Sequence, residues 1–163
     1  MKKVLVGKIH NTHGLNGEVK VSSSFLLKNK VFIKGFKVYI DDLEYIINSY
    51  RTMNNFDLLS FASFDNIDKV SNLKNKLIYI NRDDLKLESS EYIYDDLIDF
   101  SIICNNEFLG KVINYEDGLN KLLVVEFTKN YYIPISGDYI KKIDLDKKVI
   151  EVNQNTKELI LWE

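Results

Sequence analysis

The sequence predicts an all-β protein with one or two short helices, and three observations predict it. Short runs rich in β-branched and aromatic residues recur along the chain. Turn-forming pairs such as Asp41-Asp42 and Asn54-Asn55 sit between them. Ten tyrosines and nine phenylalanines supply bulky side chains for a small core. Many short strands with regular turns build a small barrel or a sandwich. A polar, acidic stretch, residues 82–91, divides the 163 residues into two parts.

In chain order, Val4 to Ile9 and Val19 to Val21 are apolar runs that read as two strands. Between them lies a polar turn carrying both histidines, His10 and His13. Gly14 and Gly17 take positive φ at no steric cost, which suits a hairpin. Gly35 to Ile40, Tyr45 to Tyr50 and Phe56 to Phe61 read as three further strands. The period changes from Asp65 to Asn75, where Ile67, Val70 and Leu73 fall three apart on one side of a short helix. Asp65 or Asn66 caps its start, Asp68 adds a carboxylate to the first turn, and Asn75 suits a left-handed end. Leu77 to Ile80 returns to a strand.

Composition narrows the function classes. Hydrophobic residues are 45% and charged residues 28%, ordinary for a folded domain. No apolar run approaches the roughly 20 residues that span a bilayer. Met1-Lys2-Lys3-Val4 leads into a strand broken by Gly7 rather than into a signal-peptide core. Cys104 is the single cysteine, so no intramolecular disulfide forms and a reducing compartment is expected, the cytoplasm or an organelle interior. A net charge of −2 and a pI near 5.8 exclude coating of nucleic acid through bulk charge. From Asp83 to Asp99, seven acids face one base, Lys86. That segment reads either as a solvated loop or as a lure for a basic partner.

Catalytic chemistry finds little support. His10, His13 and Glu18 raise a metal site, but the chain holds no further histidine and its cysteine is remote. Hydrogen-bonding histidines are the better reading, and neither metal nor cofactor is expected. Ser22-Ser23-Ser24 lacks a Gly-x-Ser-x-Gly setting, Cys104 sits in an apolar run, and no phosphate-binding glycine loop occurs. Asp83-Asp84 and Asp95-Asp96 are adjacent pairs that would face opposite sides of a strand. The chain therefore reads as non-catalytic.

Binding fits the residues better. Tyr92 and Tyr94, two apart, would share one face of a strand as an aromatic anchor, rimmed by Glu91, Asp95 and Asp96. Core tyrosines are the competing account. Lys8, His10, His13 and Lys20 place positive side chains where a phosphate backbone is positioned, against a purely structural turn.

The stretch Thr12-His13-Gly14-Leu15-Asn16-Gly17-Glu18-Val19-Lys20-Val21, after Val6-Gly7-Lys8-Ile9, resembles the N-terminal signature of the RimM family of ribosome maturation factors. The second half carries the resemblance on. Tyr92-Ile93-Tyr94-Asp95-Asp96-Leu97-Ile98 resembles the opening of that family's PRC-barrel domain, and Leu109-Gly110-Lys111-Val112 resembles its next landmark, a turn. Leu122 to Val125, Tyr132 to Ile135, Tyr139 to Asp144 and Val149 to Val152 follow in order. Four departures stand out. Asn75 replaces a glycine, the linker lacks a proline, Tyr92-Ile93 replaces two adjacent aromatics, and Asp99 replaces a glycine after Leu-Ile. The apolar close Ile160-Leu161-Trp162-Glu163 is expected to pack on the second barrel.

The resemblance implies two small β-barrels: residues 1–82, an acidic linker over 83–90, and a PRC barrel over 91–163. It implies a monomeric, non-catalytic factor without cofactors that binds immature small ribosomal subunits and assists maturation of the head and rRNA processing. The implied partners are that particle's rRNA and a basic ribosomal protein of the head, nineteenth in its series, with no membrane. Tyr92, Tyr94, Asp95, Asp96 and Leu97 are the residues implied for the protein contact. Lys8, His10, Thr12, His13, Gly14, Gly17 and Lys20 form the signature turn that would face RNA. A PRC-barrel adaptor without a ribosomal role is the rival.

Overall fold

A computed structural model describes residues 1–118 and 120–161. They form two units, residues 1–86 and 87–163, each with its own core.

In the first unit, alternating burial shapes most of the strands. Six strands, β1 (Lys3–His13), β2 (Glu18–Ser22), β3 (Lys37–Ile40), β4 (Leu43–Met53), β5 (Phe56–Phe61) and β6 (Leu77–Asn81), close a barrel in the order β1-β2-β5-β4-β3-β6. Val4, Val6, Ile9, Val19, Val21, Ile47 and Ile78 point inward and are buried. Each such side chain contributes roughly 1.5–3 kcal/mol on leaving water. β1 is the seam. It pairs with β2 on one side and β6 on the other, and carries one extra residue against each, at His10 and at Val6. Such bulges bend a long strand around a barrel.

Two-residue loops join β3 to β4 and β4 to β5, with Asp41, Asp42, Asn54 and Asn55 all at positive φ. That is the backbone a type I′ hairpin demands, and Asn and Asp tolerate it best after glycine. The helix expected after Asp65 is α2 (Ile67–Val70), continued by a 3-10 turn over Ser71–Leu73. Asn66 caps it by accepting from the Lys69 amide, and Asn75 closes the segment at φ 66°. A further helix, α1 (Lys28–Val31), has no periodic signal in the sequence. The expected strand Gly35 to Ile40 begins only at Lys37, because Gly35 sits at φ 92°. Arg82–Asp84 is a 3-10 turn and Leu85 is buried.

The second unit opens on a 3-10 turn, Tyr94–Leu97. Six strands follow: β7 (Ser101–Cys104), β8 (Glu107–Asp117), β9 (Lys121–Glu126), β10 (Asn130–Pro134), β11 (Ile140–Asp144) and β12 (Val149–Val152). They form one sheet in the order β10-β9-β8-β7-β12-β11, with β12 parallel to β7. Side chains from all six strands meet in a single core around Leu97, Ile102, Val112, Leu123, Ile133 and Ile150. Asn105 and Asn106 make a third two-residue loop at positive φ, between β7 and β8.

The stretch Leu109 to Val112 is not a turn but part of β8, bulged against β7 on one side and close to β9 on the other. A Cβ on Gly110 would lie 2.5 Å from the Glu126 carbonyl oxygen. Asp99, standing where the family has glycine, is at φ 76° and its amide donates to the Val112 carbonyl. Leu159 and Ile160 of α3 (Thr156–Leu161) pack on the second core, whereas Trp162 and Glu163 lie outside the described residues.

Candidate functional site

Two surfaces emerge, one on each unit. On the first unit, β1 runs four residues further than the sequence suggests, so His10 and His13 belong to a strand and the turn is confined to residues 14–17. The bulge turns the His10 ring outward. Its Nε2 lies 2.6 Å from the Ser22 hydroxyl and its edge meets the Phe56 ring, centroids 6.2 Å apart. The Lys20 ammonium sits 4.6 Å from the same Phe56 centroid. Lys8 is exposed beside them on β1. These four side chains make a basic, aromatic patch across β1, β2 and β5.

The rest of the signature serves the fold. Gly17 is buried at φ 91°, and a Cβ there would lie 2.1 Å from the Phe64 carbonyl oxygen. Gly14, at φ 68°, faces open space. Thr12 and His13 are half-buried at the end of β1. Glu18 accepts both guanidinium bonds of Arg51, at 2.9 and 2.8 Å. That pairing holds its carboxyl below the ordinary value, with a smaller contribution from the charge of His13.

On the second unit the aromatic anchor takes another form. Tyr92 precedes the 3-10 turn and Tyr94 starts it, so the two do not share a strand face. Tyr94 is only 7% exposed and Leu97 is fully buried, both within the core. Burial, then the charge of Asp117, pushes the Tyr94 phenol up. Burial, then Tyr94, does the same to Tyr92. Leu97 thus holds the turn against the sheet and is not a surface contact. Asp95 and Asp96 also lie on this turn, as Asp83 and Asp84 lie on another, so neither pair straddles a strand.

What remains at the surface is acidic. Asp95 accepts from the Tyr115 hydroxyl at 2.6 Å and Asp96 accepts from the Ile93 amide at 3.2 Å, while both residues stay half-exposed. Burial, followed by Asp95, drives the Tyr115 phenol well above its usual range. Tyr92, Asp95 and Asp96 are the accessible part of the proposed anchor.

Two features escaped the single-residue reading. Phe56 joins His10 and Lys20 only through strand pairing, and no local pattern announces it. The second feature is the division of charge. Residues 1–86 carry fourteen Lys and Arg against nine Asp and Glu, a net of +5, while residues 87–163 carry eight against fifteen, a net of −7. The whole-chain total hides this. Among the described residues, no group of three His, Cys, Asp or Glu side chains is placed to hold a metal ion, and no helix is long and apolar enough to cross a membrane.

Residues 4–85 match the family model of the RimM N-terminal domain, and residues 94–156 match that of the RimM PRC barrel domain. Proteins named ribosome maturation factor RimM from Staphylococcus aureus strains bovine RF122 / ET3-1 and Newman are each 36% identical over 156 residues. That alignment spans 91% of this chain and 93% of theirs. A crystal structure of a RimM protein from Pseudomonas aeruginosa aligns at 22% identity and a TM-score of 0.46, over 96% of this chain and 99% of that one. The solution structure of the N-terminal domain of RimM from Thermus thermophilus aligns at 15% identity and a TM-score of 0.47, over 53% of this chain and 98% of that one. With both domain models matched in order and relatives at 36% identity along nearly its whole length, this chain belongs to the RimM family.

Proposed function

We propose that this chain is a ribosome maturation factor, a non-catalytic binder of immature small ribosomal subunits in the cytoplasm that assists maturation of the head and rRNA processing. The observation that carries the reading is the 36% identity, over 91% of the chain, to proteins named for that role. The division of charge supports the finer assignment. The acidic second unit, with Tyr92, Asp95 and Asp96 half-exposed around one turn, suits a basic ribosomal protein of the head, the nineteenth in its series. The basic first unit, with Lys8, His10 and Lys20, suits the rRNA nearby. Residues 1–82 and 91–163 act as the two working parts, joined by the acidic 83–90 segment. Preference for a precursor over the finished particle shifts the assembly population and releases the factor at the end.

The test is sedimentation of the tagged chain with small-subunit precursors, mature small subunits and whole ribosomes at moderate salt. Comigration with precursors is expected, and Asp95→Asn with Asp96→Asn should weaken it roughly tenfold by removing charge while keeping hydrogen-bond acceptors. Unchanged comigration in that variant moves the protein contact elsewhere. Absence of comigration with every ribosomal particle refutes the reading.

A further inference from the structure

The outside of the first barrel carries a second aromatic face that the signature does not include. On β6 and β3, Tyr79 and Tyr39 are direct cross-strand partners. Their neighbours along each strand, Ile78, Ile80, Val38 and Ile40, are buried, so both rings stand on the outer side, half-exposed. Leu5 of β1 pairs with Tyr79 and is 48% exposed. Leu77, two residues along β6, is 39% exposed and pairs with Lys8. The core lies on the other side of the sheet, so none of these side chains is needed to fill it.

Lysines surround the two rings. The Lys3 ammonium lies 5.6 Å from the Tyr79 centroid and pairs with Asp42. Lys76 pairs with Asp41, and Lys37 pairs with Glu44 at 3.5 Å. The carboxylates near this face are therefore already engaged. Among the described residues Lys8 has no carboxylate partner, and it stands between this face and the His10–Lys20–Phe56 patch, because it pairs with Leu77 on one side and Ser22 on the other.

We infer that the outer face of β3, β6 and β1 is a track for single-stranded RNA, with Tyr39 and Tyr79 stacking unpaired bases and Lys8 holding a phosphate beside them. The inference rests on the ribosome-maturation reading and adds the RNA form and the residues. Paired tyrosines on an open sheet surface offer flat rings to bases of any sequence, and a lysine rim tracks the backbone. A duplex hides its base faces, so the track selects single strands. An acidic protein could answer the lysines and bury the rings as well, and the experiment below separates the two occupants. A polyanion whose every residue carries a π-face uses both.

The experiment is fluorescence anisotropy of the full chain with a labelled single-stranded RNA of about ten nucleotides, and with the same sequence as a duplex. Single strands should bind better than duplex. Tyr39→Ala and Tyr79→Ala should each weaken single-strand binding roughly tenfold, and Tyr39→Phe and Tyr79→Phe, which keep the ring, should restore it. Lys8→Gln should lower the slope of log affinity against log salt by roughly 0.7. Thermal melting by circular dichroism checks that each variant is folded. Single-strand binding that is absent, equal to duplex binding, or unchanged by the alanine variants overturns the inference, even where the chain still comigrates with precursor particles. Loss of comigration in the alanine variants with RNA binding intact assigns the face to a protein and overturns it too. Ring-dependent RNA binding without comigration upholds the track and sinks the maturation reading instead.

Discussion

Gly14 and Gly17 stand three residues apart in one turn, both at positive φ, and the structure assigns them very different costs of substitution. An alanine at either position is forced into the left-handed region, which costs about 1–2 kcal/mol. At Gly14 the account ends there, since a Cβ meets nothing within 4 Å. At Gly17 the Cβ would lie 2.1 Å from the Phe64 carbonyl oxygen and 3.2 Å from the Asn66 amide nitrogen, both backbone atoms that cannot swing aside. Relief requires the 64–66 segment to retreat. The Ile67 amide donates to the Leu15 carbonyl at 2.9 Å, tying that segment to the same turn. Overpacking of this kind costs about 1–3 kcal/mol, and a lost hydrogen bond about 1 kcal/mol more. Gly17→Ala should therefore destabilise the first unit by roughly 3–6 kcal/mol and Gly14→Ala by roughly 1–2 kcal/mol. Peptide-resolved amide hydrogen exchange on the whole chain measures the difference, with peptides of the second unit as an internal reference. The expected gap of at least about 2 kcal/mol is roughly thirtyfold in exchange of β1 and β2 amides. Equal losses in the two variants would refute the close-approach argument and leave only backbone conformation.

Asn55→Gly and Asn106→Gly each relieve a non-glycine residue at φ 68° and 67°, and each should stabilise its hairpin by about 0.5–1 kcal/mol in urea unfolding. Asp57 is buried on β5, accepting from Lys28 at 3.0 Å and from the Tyr50 hydroxyl at 2.6 Å. Lys28→Met strips its cation and should cost about 1–3 kcal/mol, measured the same way. Burial, then the hydrogen bond to Asp57, pushes the Tyr50 phenol up to about 12. Because the neutral phenol is favoured in the fold, this stability is complete below the unfolded value of 10 and drains away as pH rises towards 12. Tyr50→Phe should flatten that part of the alkaline loss of stability in the first unit, and an unchanged profile would contradict the assignment.

Strand existence and turn chemistry were legible because they are local. Asp41-Asp42 and Asn54-Asn55 announced their hairpins, and Asn66 to Asn75 announced a capped short helix, since each signal sits within a few residues of the structure it makes. The misses share a non-local cause. His10 reads as a turn residue because its neighbours are polar, yet pairing with β2 and the bulge at that position keep it in β1. Tyr92 and Tyr94 alternate like a strand, but Leu97 and Tyr94 bury themselves by curling into a 3-10 turn, a gain visible only once the sheet beneath is known. Leu109 to Val112 looks like a turn because of Gly110, whose freedom serves a close approach to Glu126 instead. Of the candidate site, Lys8, His10, Lys20, Asp95 and Asp96 reach the surface, whereas Gly17 and Leu97 are structural.

The charge division gives these surfaces a common logic. A chain with a net of −2 looks neutral towards polyanions, yet its first unit alone is at +5 and its second at −7. Uniform mixing of those charges would repel no partner and steer none. Segregation lets one chain meet two chemistries, because fields from exposed charges fade within about 8–10 Å at physiological salt and each unit then presents its own sign. Under the function proposed above, a ribosomal precursor offers both complements, polyanionic RNA and basic protein, side by side. Two contacts of modest affinity on one chain bind far more tightly together than either alone, and the second is lost at once when its target is rearranged. An assembly factor needs that combination: capture of a particle that presents both surfaces, and departure when maturation removes one.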